Sequence, residues 1–349
     1  MTSFKENGNP FGAHRVIEPK GVLPQPAQKL DNNMDYMWDN EMRVNVEILN
    51  VDSASFTQIK EACGGDIDKI KKMILEIVGE RGKQQNPVTG SGGMFIGTID
   101  EVGPKLSSRG LKKGDRIASL VSLSLTPLKI DEIVDVKKDI DQVHIKGKAI
   151  LFESGIYAKI PSDVPTPLAL AVLDVAGAPA QTQRLVKSGD TVVIIGACGK
   201  SGVLCAYEAR KKVGKSGKII GIRHSGKHLE DVTALELYDE LFQMDATDSL
   251  KCYDEIYKLT GGKMADLVIN CVNIPNTEMA SILMTRDGGT LYFFSMATSF
   301  TKAALGAEGV GKDINMIVGN GYARNHADIT LNILRESPAI RKMYEKIYT

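Results

Sequence analysis

The sequence predicts an α/β fold, with a doubly wound parallel sheet following a β-rich first half. Three observations carry this. From about residue 162 onward the short apolar runs TVVIIG, GKIIGI, ADLVINCV and GGTLYFFSM alternate with helical stretches, as strands buried on both faces with crossover helices require. Before Pro161 apolar and polar residues instead alternate one by one, with glycines between them, the pattern of half-buried strands bent around a small barrel. One strand also runs directly into a helix through the glycine turn GACGKSG.

Taken in order, residues 1–40 are rich in Pro, Gly, Asn and Asp and read as an extended arm that wraps a neighbouring domain. MRVNVEILNVD is a half-buried strand. The stretch SASFTQIKEACGGDIDKIKKMILEIVGER has helical spacing at Ile67, Ile70, Met73, Ile74 and Ile77. GSGGMFIGTIDEVG, GDRIASLVSLSL and KAILFES supply further strands. TPLALAVLDVAGAPAQTQRLV reads as one helix, TVVIIG as a buried parallel strand, and KSGVLCAYEARKKV as an amphipathic helix. The last residues, NHADITLNILRESPAIRKMYEKIYT, read as a closing helical tail. The division expected is a β-rich domain over 1–161, completed by 319–349, and a sheet domain over 162–318.

Composition narrows the function classes. The chain has 349 residues, with 43 basic and 43 acidic side chains, so no global field draws it to nucleic acid or an anionic membrane. Five cysteines without a C-x-x-C pair fit neither a thiolate zinc lobe nor a disulfide framework and read as reduced cytoplasmic thiols. No secretory h-region and no membrane-length apolar run is evident, so neither export nor insertion is expected.

The turn carries the functional signal. Gly196 permits a tight turn, Gly199 lets backbone N–H groups approach a pyrophosphate, and Gly202 lets the helix pack close to its strand, with the helix N-terminus facing the anion. Cys198, Lys200 and Ser201 complete this turn. Lys200 reads equally as a phosphate contact or a solvated lysine, and Cys198 as a small turn residue rather than a nucleophile. The spacing is GxxGxxG, which an ordinary tight turn also allows. A nicotinamide dinucleotide, NADP or NAD, is the cofactor expected. The strand KIIGI runs into Arg223 and His224, where an acidic residue would select the ribose hydroxyl of NAD. A basic group attracts a 2′-phosphate, which favours NADP; the alternative is that Arg223 stacks on adenine and tolerates either. His224 and His228 otherwise read as surface residues. Asn270, Ser295 and Met296 lie at strand C-terminal ends, where such sheets hold the nicotinamide.

The β-rich first half, the glycine turn and the GTIDEVG strand together resemble the medium-chain dehydrogenase/reductase superfamily over nearly the whole chain. This implies a GroES-like catalytic domain and a Rossmann domain. NPFGAHRVIEPKGVLPQPA and GSGGMFIGTIDEVG resemble, more narrowly, the L-erythro-3,5-diaminohexanoate dehydrogenases of anaerobic lysine fermentation. That resemblance implies oxidative deamination of the 3-amino group to 5-amino-3-oxohexanoate and ammonium. Where zinc-dependent members of the superfamily carry ligands, this chain has Asn50, Gly90-Ser91-Gly92 and Asp174. One carboxylate cannot hold catalytic zinc, which takes about three protein ligands, so a zinc-free enzyme is expected.

Without a metal, carboxylates are the natural tools for taking a proton from a substrate ammonium and stabilising the positive charge that follows. Three are candidates. Asp52 follows the first long strand and reads as base or ammonium anchor, or as a helix-capping Asp. Asp174 lies in an apolar helical run, where a buried carboxylate needs a partner such as an ammonium or a backbone donor. Glu308 stands in a glycine-flexible loop, where it grips the distal amine or is simply a surface residue. His14, Arg15, Lys312 and Arg324 are all conceivable partners for the substrate carboxylate. Two rival readings stay open, a zinc-free quinone or enoyl reductase and a non-catalytic NADPH-binding sensor. A homo-oligomer is expected, since LYFFSM or a following strand would otherwise expose an unpaired edge.

Overall fold

The computed structural model describes residues 4–295, 297–319 and 321–349. These divide into two compact units, one reaching to Thr166 and the other running from Pro167 to Thr349.

The first unit is built on a six-stranded antiparallel sheet. Its order is Leu128–Lys137, Gln142–Phe152, Glu41–Val51, Gly93–Val102, Arg116–Ser119 and Tyr157–Lys159. Alternate residues of the long central strand, among them Met42, Val44 and Val46, enter a core shared with Phe56, Ile70, Ile74 and Phe95. The strand Leu128–Lys137 went unread in the sequence because Lys129, Asp131, Glu132 and Asp135 mask its alternation. The single helical stretch expected after residue 53 is two helices, Ser53–Ala62 and Ile67–Arg81. Gly64 and Gly65 break it with positive φ, and Asp66 caps the second helix by accepting from the Asp68 and Lys69 amides at 3.0 and 3.1 Å.

The N-terminal arm is anchored by a buried ion pair within this unit. Arg15 is fully buried and grips both oxygens of Glu41, Nε to Oε1 at 2.8 Å and NH2 to Oε2 at 2.7 Å. His14 Nε2 lies 2.8 Å from the same Oε1. Burial alone would raise the Glu41 pKa, but hydrogen bonds from Arg15 and His14 outweigh it and hold the carboxyl below its ordinary value. A charge pair this enclosed would strand one ion if its partner were removed, so it fixes the arm's path.

The second unit carries a six-stranded, all-parallel sheet ordered Glu240–Gln243, Lys218–Arg223, Thr191–Ile195, Ala265–Asn270, Thr285–Phe293 and Asn315–Val318. The chain enters at the third position, winds outward, then crosses to the other half, so the order reverses between Thr191–Ile195 and Ala265–Asn270. Ligands bind at that switch point, beyond the strand C-terminal ends. The apolar runs are buried on both faces, with Val193, Ile195, Val268 and Leu291 in one core. The helix expected around Asp174 is two, Thr166–Leu173 and Gly177–Leu185. At the junction Val175 and Ala176 donate to Val172 and Leu173, tight i to i−3 bonds that end the first helix.

The closing tail is also two helices, His326–Glu336 and Pro338–Tyr348. The sequence reading attached 319–349 to the first domain; these helices instead cluster with the second unit. Thr330 Oγ1 donates to the Ala176 carbonyl at 3.4 Å, and the Tyr344 hydroxyl donates to the Lys200 carbonyl. Amphipathic helices look alike in sequence whichever partner buries their apolar stripe.

Candidate functional site

The glycine turn joins Thr191–Ile195 to the helix Lys200–Val213. Gly196 has φ +89°, which only glycine adopts without strain. Its amide and that of Ala197 donate to Ile222 O at 2.9 and 3.0 Å, tying the turn to the next strand. A Cβ on Gly202 would overlap the Gly196 carbonyl, whereas one on Gly199 would stand 3.2 Å from the same oxygen. Gly199 caps the helix, so the first-turn amides, which have no intrahelical acceptor, open toward an anion. Ser201 is buried behind the turn.

Two tyrosines that sequence reasoning missed brace it from behind. The Tyr238 hydroxyl donates to Ala197 O at 2.8 Å or Gly202 O at 3.1 Å, and Tyr344 reaches Lys200 O. Burial pushes both phenols well above their ordinary range. They are neutral donors at any physiological pH.

A cleft of about 270 Å³ opens beside the turn, lined by Gly196, Cys198 and Gly199 on one wall and Arg223, His224, Ser225, Lys227 and His228 on another. Arg223 NH1 donates to Ser225 O and Gln243 Oε1, each at 3.0 Å, which holds the guanidinium at the rim. His224, exposed, and His228, half-buried, both line the cleft. Burial, with the Lys227 charge beside it, lowers the His228 pKa. Asp245, in the adjoining slot, accepts from the Thr247 amide and hydroxyl at 2.9 and 2.8 Å. Tyr348 closes the cleft, its ring 5.8 Å from Lys200 Nζ. The i, i+4 spacing of Tyr344 and Tyr348 on the last helix was the available signal.

Lys200 Nζ is bound to Asp174 Oδ2 at 2.7 Å. Asp174 is therefore not in a buried helix, as its apolar neighbours suggested. It sits in the turn after Leu173 with its side chain 39% exposed, because the helix ends one residue earlier. Asn270 is fully buried at its strand end; Nδ2 donates to Thr277 and Ser281 at 2.8 and 3.1 Å, and Oδ1 accepts from Val272 N at 3.2 Å. Its side chain shapes the switch-point loop. Ser295 is half-buried, with Oγ accepting from Ala297 N at 3.1 Å. Met296 lies outside the described residues.

In the first unit Asp52 caps Ser53–Ala62, Oδ1 accepting from Ala54 N at 3.1 Å and from Ser91 Oγ at 3.0 Å. Ser91 Oγ lies 2.5 Å from Ser55 Oγ, which lies 2.6 Å from Thr89 Oγ1. These hydroxyls were also missed; the signal was TGSGG, short polar residues among glycines. Glu308 is exposed near the end of the helix Phe300–Gly309, not in a loop. Ser299 caps that helix by accepting from Lys302 N at 3.3 Å, and the alanines of KAALGAEG outweigh its glycines. Of the cations considered for a substrate carboxylate, His14 and Arg15 are held by Glu41, and Lys312 Nζ donates to Thr285 O at 2.6 Å. Arg324 is exposed. Among the described residues no three His, Cys, Asp or Glu side chains converge as a metal site would.

An antiparallel β unit joined to a doubly wound sheet, with a GxxGxxG turn at its switch point, defines a medium-chain dehydrogenase/reductase fold. A mycobacterial protein complexed with NADPH shares it, with TM-score 0.52 and 16% identity over 87% of this chain and 81% of that one. Residues 14–161 match the family described as the L-erythro-3,5-diaminohexanoate dehydrogenase N-terminal domain. The chain is 60% identical over 342 residues to the L-erythro-3,5-diaminohexanoate dehydrogenase of Acetoanaerobium sticklandii, covering 98% of this chain and 99% of that one. It is 56% identical over 344 residues to that of Fusobacterium nucleatum, with the same coverage. The chain belongs to the L-erythro-3,5-diaminohexanoate dehydrogenase family.

Proposed function

We propose that this protein oxidises L-erythro-3,5-diaminohexanoate to 5-amino-3-oxohexanoate and ammonium in lysine fermentation. The observation that carries this is 60% identity to a dehydrogenase of that name along virtually its whole length. The turn at Gly196, Gly199 and Gly202 and the cleft beside it fit a dinucleotide, its pyrophosphate against the first-turn amides. When bound, a nicotinamide dinucleotide supplies the hydride acceptor.

The residues of this chain do the rest. Hydride leaves the amine-bearing carbon only once the nitrogen has a free lone pair, so an ammonium must first lose a proton. We assign that proton to Asp52, whose Oδ1 is aligned by the Ala54 amide and the Ser91 hydroxyl. Water then adds to the substrate iminium, and ammonia leaves with a returned proton. Glu308 is the proposed partner of the distal ammonium. Asp174, paired with Lys200, acts through that lysine at the cofactor phosphates. Arg223, His224, Lys227 and His228 around the adenosine end support NADP over NAD. The unshared edge of Asn315–Val318 supports a homo-oligomer, and five free cysteines support a reducing, cytoplasmic setting. No helix among the described residues is long and apolar enough to cross a membrane.

The test is absorbance of reduced cofactor after mixing chelator-treated protein with the diamino acid and either NAD or NADP. Turnover that survives the chelator, faster with NADP and with that preference reversed by Arg223→Ala, is expected. Oxidation of NADPH by a quinone or enoyl substrate with no amine oxidation would overturn the reading, as would cofactor binding without turnover.

A further inference from the structure

The hydroxyls around Asp52 can be oriented by counting protons. A carboxylate only accepts hydrogen bonds, so Ser91 must donate its one hydroxyl proton to Asp52 Oδ1, 3.0 Å away. With that proton committed, the 2.5 Å contact between Ser91 and Ser55 must be donated by Ser55. The 2.6 Å contact between Ser55 and Thr89 must in turn be donated by Thr89. Three hydroxyls therefore point one way, Thr89 to Ser55 to Ser91 to Asp52, with a longer direct contact of 3.2 Å from Thr89 to Ser91. Ser55 is fully buried, Asp52 and Ser91 are half-buried and Thr89 is exposed, so the row gives the carboxylate a route to solvent through the protein beside its own partly exposed face. Capping the helix needs only the Asp52 carboxylate, so it does not account for a buried serine bonded to two other hydroxyls.

We propose that Thr89, Ser55 and Ser91 form a proton wire that returns Asp52 to its ionised form in each turnover. This rests on Asp52 being the base. The substrate ammonium gives Asp52 a proton, leaving a neutral amine and a carboxylic acid. The three hydroxyls turn, the acid donates from Oδ1 to Ser91, and each hydroxyl passes its own proton to the next. Thr89 releases one proton to water, giving hydronium, and the carboxylate is restored. Apart from the N–H bond of the ammonium, only O–H bonds are broken, and no oxidant is consumed. Run in its resting direction, the wire brings a proton in, as departure of ammonia requires.

Thr89→Val cuts the wire at the mouth, whereas Ser55→Ala removes the middle hydroxyl and leaves only the longer direct contact of 3.2 Å between Thr89 Oγ1 and Ser91 Oγ. Thr89→Val should lower kcat about tenfold or more, part of what positioned proton transfer contributes, and Ser55→Ala should lower it by less. Each should also make the rate depend on the concentration of an added small buffer base that bypasses the gap. The wild type should show a curved dependence of kcat on the D2O fraction, the signature of several protons in flight, and the variants should lose the curvature. Thr89→Ser should restore what Thr89→Val loses, which a merely structural methyl contact would not allow. Thermal melts identify any variant that has lost its fold, in which case Ser91→Ala replaces it. Unchanged rate, buffer response and isotope curvature in folded Ser55→Ala and Thr89→Val, with Asp52→Asn inactive, would overturn the wire alone. An active Asp52→Asn would remove the base assignment beneath it.

Discussion

Replacing Asp174 by Asn separates two roles for this carboxylate. Its ion pair with Lys200 spans 2.7 Å, but the side chains are 39% and 26% exposed, so water screens it. Opposite charges about 4 Å apart in a water-like dielectric are worth about 1 kcal/mol, and measured exposed pairs fall in the same range. The fold should therefore lose no more than about 1 kcal/mol in Asp174→Asn. Lys200 begins the helix after Gly199, at the end that faces the anion. Asp174 competes with a phosphate for its ammonium. Removing that competitor should tighten NADPH by up to about 1 kcal/mol, about fivefold in Kd. The assay is NADPH fluorescence titration at low and high salt; the gain should shrink at high salt, where exposed charges are screened. If NADPH affinity is unchanged while amine turnover collapses about a hundredfold, a catalytic carboxylate's share, then Asp174 touches substrate and its pairing with Lys200 is incidental.

Three further outcomes follow from particular contacts. Gly202→Ala should destabilise by about 1–3 kcal/mol, an overpacking penalty, and abolish cofactor binding, since its Cβ would overlap the Gly196 carbonyl. Gly199→Ala should keep the melting temperature but weaken NADPH, and equal melts for the two would refute the close-approach argument. Tyr348→Ala should weaken NADPH by about 1 kcal/mol, about fivefold, with Tyr348→Phe closer to wild type if the ring does the closing; fluorescence titration reads both. Burial, with the Arg81 charge adding to it, pulls the Lys83 ammonium from 10.5 down to about 7. The unfolded chain then binds the extra proton between about 7 and 10.5, so this residue makes stability rise with pH across that window and contributes no gain below it. Against Lys83→Met, the wild-type advantage in denaturant melts should grow by about 2–3 kcal/mol from pH 7 to pH 9; a flat difference would refute the shift.

Much of this was legible in the chain because it is local. A buried parallel strand needs an apolar run, a tight turn needs glycine, and a helix laid close to a strand needs glycine again at Gly202, so strand, turn, helix and cofactor class could be read in order. That Arg223 ends a strand was legible for the same reason. Partnership was not legible. Asp174 sits among apolar residues, yet its charge is satisfied by Lys200, 26 positions on. Arg15 resembles a ligand for a substrate carboxylate and is spent on Glu41. Tyr238, Tyr344 and Tyr348 reach the turn from helices and loops far along the chain, and the Thr89, Ser55 and Ser91 hydroxyls meet only because a strand and a helix bring two segments together. The sequence by itself determined which backbone conformations the chain can adopt, since sterics and burial periodicity act within a few residues. Only the tertiary structure decided which charges and hydroxyls are paired, since a hydrogen bond needs its partners within about 3 Å, however far apart they stand in the chain.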